Sequence, residues 1–135
     1  MKVLRPGQLV EGYRRLKGGR PIGKDCDRLF SLVIRARDKR CRRCGTDQGL
    51  QCAHIMSRRY KATRFAEDNA IALCLRCHAW QTHHPLEGDA FFVELIGQEA
   101  FDALRARAMA GLEGAIDYQM LRLYLRQRLR QLEAA

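Results

Sequence analysis

The chain has 135 residues, 47% of them hydrophobic, and a formal net charge of +10. This length suits a single domain with a modest core, and the hydrophobic share excludes wholesale disorder. No apolar run reaches the length of a membrane span, and Met1-Lys2-Val3-Leu4-Arg5-Pro6 lacks the apolar stretch of a secretory signal, so a cytoplasmic setting with reduced thiols is expected. The charge is uneven: residues 1–85 carry 19 Lys/Arg against 7 Asp/Glu, and residues 86–135 carry 6 against 8. A basic excess of this kind favours a polyanionic partner, nucleic acid foremost, with a solubilising surface as the bland alternative.

Residues 1–24 combine Gly7, Gly12, Gly18, Gly19 and Gly23 with Pro6, Pro21 and seven Lys/Arg, which reads as an extended basic arm. Asp25 suits the N-cap of a helix over 26–39, whose apolar set Cys26, Leu29, Phe30, Val33 and Ile34 follows helical spacing. The helix leads into a first CxxC knuckle, Cys41-Arg42-Arg43-Cys44. Gly49–Ile55 reads as a short strand and 56–63 as a basic loop. Ala70–Cys74 is a second apolar run that leads into the second knuckle, Cys74-Leu75-Arg76-Cys77, and a helix to about Thr82. Two helices follow at 86–96 and 98–109, broken at Gly97. A last amphipathic helix spans 116–132, with Met120, Leu121, Tyr124, Leu125, Leu129 and Leu132 as its apolar stripe and Arg122, Arg126 and Arg130 on the other side. That stripe can pack on the core or form a homodimer seam. At about two heptads, packing on the core is the expectation. The fold class is thus α+β, mostly helical, with a short two-stranded β element. Three parts are expected: an arm (1–24), a cysteine-stapled core (25–85) and C-terminal helices packed on it (86–135).

Two CxxC pairs supply four soft thiolates, and each tight turn lets two of them chelate together. In a reducing compartment Cys41, Cys44, Cys74 and Cys77 therefore predict a structural Zn²⁺ site. Arg40, Arg42, Arg43 and Arg76 crowd the knuckles and can offset the surplus negative charge of four thiolates on one Zn²⁺. The 29 residues between Cys44 and Cys74 are more than a bare finger needs and suggest an inserted functional segment. Cys26 and Cys52 read as small buried apolar residues.

That segment carries His54 at the end of the first strand, Asn69 before the second apolar run, and His78 directly after Cys77. The order His, Asn, His inside two knuckles, together with Ala53-His54-Ile55-Met56-Ser57-Arg58-Arg59 and Ala62-Thr63-Arg64-Phe65, resembles the HNH (ββα-metal) endonucleases, in particular the zinc-stapled members of phages and prophages. The resemblance covers roughly residues 41–85. It implies phosphodiester hydrolysis on DNA, with His54 as general base and His78 as a ligand of a catalytic Mg²⁺ or Mn²⁺. Asn69 is then the brace of the loop that carries His54; in some members an Asn is itself a metal ligand. One position departs from the pattern: the family places Asp, Glu or His before the base, and here that residue is Ala53. His83, His84 and Asp68 are the candidate substitutes, with an exposed helix end and a turn-forming Asp as their plainer readings. A depleted ligand set predicts slow, nicking activity.

Arg58, Arg59, Lys61 and Arg64 follow His54 closely and are the candidate DNA-phosphate contacts. Tyr60 and Phe65, interleaved with them, are expected in the core. Nothing resembles a base-reading helix. A metal-dependent DNA endonuclease leads over a zinc-stabilised DNA-binding module without catalysis, and a zinc-mediated protein-interaction module is third.

Overall fold

Two five-residue strands sit between two layers of helices. The computed structural model describes residues 21–135. Its elements are α1 (Ile22–Asp38), β1 (Leu50–His54), a 3₁₀ turn (Glu67–Asn69), β2 (Ala70–Cys74), α2 (Leu75–His83), α3 (Pro85–Ile96), α4 (Gln98–Ala110) and α5 (Tyr118–Ala134). The coarse α+β, mostly helical class is as expected. Most of the predicted arm lies outside the described residues, but its last three positions, 22–24, are already helix rather than extended chain.

Helix α1 forms because its apolar positions recur at helical spacing, and all five of the predicted ones are buried. Its start differs from expectation. Pro21 occupies the N-cap, and Asp25 lies in the first turn, where a carboxylate suits the positive end of the helix dipole. There Asp25 takes Arg28 at 2.9 Å. The helix ends at Lys39, in the left-handed region at φ 66°, whose N–H bonds back to Arg35 O.

Strands β1 and β2 pair antiparallel, with Leu50 opposite Cys74 and His54 opposite Ala70. Alternation sends successive side chains to opposite faces. Ala70 and Ala72 face one core with α1 and Leu125 of α5, whereas Ile71 and Leu73 face another with Phe92 of α3 and Phe101, Leu104 and Ala108 of α4. The outer backbone of β2 is tied to the end of α1. Asp38 Oδ2 accepts from Ala72 N at 2.8 Å, Arg37 Nη2 donates to Ala70 O at 2.7 Å, and Arg42 N donates to Ala72 O at 2.9 Å.

The C-terminal helices go to different places. α3 and α4 close the core that contains Cys74 and Cys77, and the break between them falls at Gly97, φ 91°. The helix α2–α3 turn is tight: a Cβ on Gly88 would sit 3.1 Å from Gln81 O. α5, capped by Asp117 accepting from Met120 N, packs on α1 instead. Its predicted stripe is partly wrong. Leu125 is fully buried and Leu121, Leu129 and Leu132 pack around it, but Met120 (63%) and Tyr124 (53%) are exposed. Arg122, assigned to the far side, lies on the α1 side with Nη1 4.0 Å from Asp25. Met120, at −5, and Tyr124, at −1, fall about 140° and 100° round the helix from Leu125.

Cys26 is buried and donates to Tyr118 O at 3.4 Å; burial pushes its thiol up to about 11. Cys52 is half-buried, and burial raises it to about 12. Both are inert thiols under ordinary conditions, in line with a packing role.

Candidate functional site

The knuckle end of the hairpin is assembled by backbone turns. Cys41 N donates to Thr46 O at 2.8 Å and Gly45 N to Cys41 O at 2.9 Å, with Gly45 at φ 82° supplying the left-handed turn. On the other side, Cys74 caps α2: its Sγ accepts from Cys77 N at 3.5 Å, as Cys41 Sγ accepts from Cys44 N. The four sulfur atoms lie within 4.8 Å of one another, and Cys44 and Cys74 Sγ are 3.6 Å apart. A tetrahedral ZnS₄ centre with Zn–S near 2.3 Å has sulfur–sulfur edges of about 3.8 Å. The cluster therefore fits a structural metal such as zinc. Without a cation the thiols cannot all ionise together. Burial opposes ionisation of Cys41 and Cys77, yet backbone N–H groups hold Cys41 down to about 6, while burial and the neighbouring thiols push Cys77 up to about 12.

Arg43 is the arginine that meets the sulfurs. Its Nη1 is 3.5 Å from Cys77 Sγ, and its guanidinium lies 3.7 Å above the Trp80 ring. Arg40 instead donates to Gly45 O, and Arg42 turns to Asp38 at 3.6 Å. A cavity of about 350 Å³ beside the cluster is lined by Arg43, Arg76, Trp80 and three of the cysteines.

The opposite end of the hairpin holds His54. Its Nε2 lies 2.8 Å from Arg64 O. A carbonyl only accepts, so Nε2 carries the proton and Nδ1 carries the lone pair of the neutral ring. The ring packs against Phe30 of α1, with centroids 5.5 Å apart. Burial, reinforced by Arg58, holds its pKa below the ordinary histidine value, against the opposing pull of the Arg64 carbonyl and Asp27.

Asn69 is completely buried. Its Oδ1 accepts from Met56 N at 2.8 Å, and its Nδ2 donates to Met56 O and Thr63 O, both at 3.0 Å. One carboxamide thus ties the start of the 56–66 loop to its middle. The loop in turn presents Arg64, whose carbonyl reaches His54.

His78 is placed differently. Its Nδ1 donates to Gln51 Oε1 at 2.7 Å, which leaves Nε2 free, and burial lowers its pKa. Gln51 is three residues before His54 in β1, so alternation puts the two histidines against opposite faces of the strand. Ala53 is fully buried in the core on the His78 side. Two of the three candidate substitutes are engaged elsewhere: Asp68 pairs with Arg107 at 2.6 Å, and His84 donates to Trp80 O at 3.0 Å and stacks on the Trp80 ring, while His83 is exposed at the end of α2. Among the described residues, the four cysteines are the only group of three or more His, Cys, Asp or Glu close enough to share an ion.

Of the candidate DNA contacts, Arg58, Arg59 and Lys61 are exposed, and Arg59 lies along Tyr60. Arg64 differs. Its guanidinium forms a two-pronged pair with Asp27 of α1, at 3.1 and 2.6 Å. Asp27 and Gln51 escaped the sequence reading because their partners are 37 and 27 positions away, with no local pattern to flag them. Tyr60 and Phe65 are half-buried against the two cores, as expected.

Compared with protein-family models, with curated proteins and with solved structures, the chain finds no match.

Proposed function

We propose that the protein is a DNA endonuclease of the HNH (ββα-metal) type, with His54 as the general base of phosphodiester hydrolysis. The observation that carries this reading is the His54 hydrogen bond: Nε2–H is committed to Arg64 O, so the lone pair on Nδ1 is the one available to a water. A depressed pKa keeps that lone pair unprotonated near neutral pH. Nδ1 takes a proton from the water, the water oxygen bonds to phosphorus, and the bond from phosphorus to the leaving sugar oxygen breaks, with solvent returning a proton to that oxygen. Asp27, close enough to raise the His54 pKa, offsets the imidazolium that forms.

Exposed Arg58, Arg59 and Lys61 beside the base give the backbone phosphates their charge partners. Asn69 acts through the loop it braces, and the cysteine cluster with zinc acts as a staple. The donor set does not fit a resident Mg²⁺ or Mn²⁺: His78 offers one free nitrogen and Ala53 none. Such an ion has to arrive on the phosphate itself.

That same vacancy of ligands favours a second reading, a zinc-stabilised DNA-binding module without catalysis. Supercoiled plasmid incubated with wild type and with His54→Ala, with and without Mn²⁺ or Mg²⁺, separates the two. The nuclease reading expects nicking by the wild type that falls by at least about 100-fold in the variant, the range of general-base contributions. Equal nicking by both proteins removes His54 as the base, and DNA retention with no nicking selects the binding module.

A further inference from the structure

We infer that Asp27, which lies outside the cysteine-framed segment, is the positioning residue that fixes the His54 tautomer, acting through Arg64. This rests on the reading of His54 as the base. The only hydrogen-bond partner of the His54 ring among the described residues is the Arg64 carbonyl. That carbonyl belongs to a loop pinned at three successive residues. Asn69 holds Thr63 through its carbonyl, Asp27 holds Arg64 through its guanidinium, and Phe30 meets Phe65 edge-on at 5.9 Å. Two of those three anchors, Asp27 and Phe30, project from α1 one turn apart, and Phe30 also packs against the His54 ring itself. Helix α1 thus supports the ring on one side and its hydrogen-bond acceptor on the other.

The pair is built for this work. Arg64 donates through Nε and Nη2 to separate oxygens of one carboxylate, a geometry that fixes orientation as well as distance. Both side chains are mostly shielded, at 25% and 20% exposed. The charged groups that bear on His54 are Asp27 from α1 and Arg58 and Arg64 from the loop. Removing the Asp27 charge leaves Arg64 unpaired in a shielded position. The guanidinium then swings to solvent, its backbone loses the tether, and the ring is free to turn or change tautomer.

A consequence separates this role from phosphate binding. Asp27→Asn frees a cation. A phosphate-contacting Arg64 then binds DNA more tightly with catalysis intact. A positioning Arg64 instead shows a nicking rate at saturating DNA roughly 10- to 100-fold lower, the cost of misplacing a reacting group by about 1 Å, with DNA affinity not reduced.

The test uses the full chain loaded with zinc. The nitrogen chemical shifts of ¹⁵N-labelled His54 report its tautomer above its pKa whether or not the protein cuts DNA. The wild type is expected to show Nε2–H alone, Asp27→Asn a mixture of both tautomers, and Asp27→Glu, which retains the carboxylate, recovery of most Nε2–H. Arg64→Lys keeps the charge pair without the two-pronged grip, and it is expected to show the mixture as well; it stands in should Asp27→Asn fail to fold. A single Nε2–H tautomer in either folded variant overturns the inference, as does a mixture in the wild type. Absence of nicking by the wild type alongside the expected tautomer shifts removes the base reading and leaves the positioning by Asp27 standing.

Discussion

At the Leu50–Cys74 end of the hairpin, four sulfur atoms surround a volume of metal size. At the His54–Ala70 end, roughly 13 Å along the strands, a buried carboxamide and an ion pair do the holding. The first end gathers four sulfurs that could hold a cation. Four thiolates there would repel one another without a cation, and the one arginine that meets the sulfurs, Arg43, only partly offsets that charge. The second end needs no cation to be complete: every polar atom of the Asn69 carboxamide that the loop requires is paired within the protein. The His54 ring is thereby kept at the far end of the strands from any ion that the four sulfurs could hold. The hairpin links the two ends as a rigid spacer.

The contrast is broken most severely by removing the metal. Structural zinc sites of this kind contribute apparent binding free energies on the order of 10–16 kcal/mol at neutral pH. Chelation, or Cys74→Ser, is expected to abolish cooperative melting of the segment 41–83, read by circular dichroism, and to expose the amides of Cys44 and Cys77 to hydrogen exchange before those of Met56 and Asn69. Simultaneous exposure of both ends would show that they are one unit.

Next in size is Asn69→Ala, which strands Met56 N, Met56 O and Thr63 O in a buried place. At roughly 1 kcal/mol for each lost bond, a loss of about 3 kcal/mol is expected in urea unfolding of the zinc-loaded protein. The Cys₄ site should be spared, which Co²⁺ substitution and its thiolate charge-transfer absorption can verify. A Co²⁺ spectrum lost together with the loop would mean that the two ends are coupled.

The smallest effect is the pH response of His54. Burial penalises its imidazolium, so its folded pKa lies below the unfolded value of about 6.5. The neutral ring's contribution to stability is therefore fully present above pH 6.5 and is lost as pH falls through the folded pKa. Relative to His54→Gln, the wild type is expected to lose stability on acidification through that window, and nicking should fall on the same limb. A flat difference across the window would place the ring in water.

The sequence made some of this architecture legible and left the rest hidden, for a physical reason. Spacing alone located the four cysteines, because chelation by CxxC is a local property, and it placed every described helix to within about four residues. Asn69 stood out by its place in the His–Asn–His order. The Arg64 pairing with Asp27 was hidden because a basic run looks the same whether its members meet phosphate or a carboxylate on another helix. The inner face of α5 was misread likewise, since α1, 92 positions earlier at the Cys26–Tyr118 contact, decides which of its residues are covered. The helix starts at Ile22, so Pro21 stands at the cap and Asp25 falls inside the first turn.

The ties from the end of α1 and the first knuckle to the outer side of β2 also decide how large this sheet can become. A free strand flank invites another strand, from the same chain or from a neighbour, to continue the ladder. Here the Ala72 amide is taken by a carboxylate, its carbonyl by the Arg42 amide and the Ala70 carbonyl by a guanidinium. A third strand at this flank would have to displace all three. The sheet therefore stops at two strands on this side, and copies of the protein brought close together are not offered this flank for β-stacking.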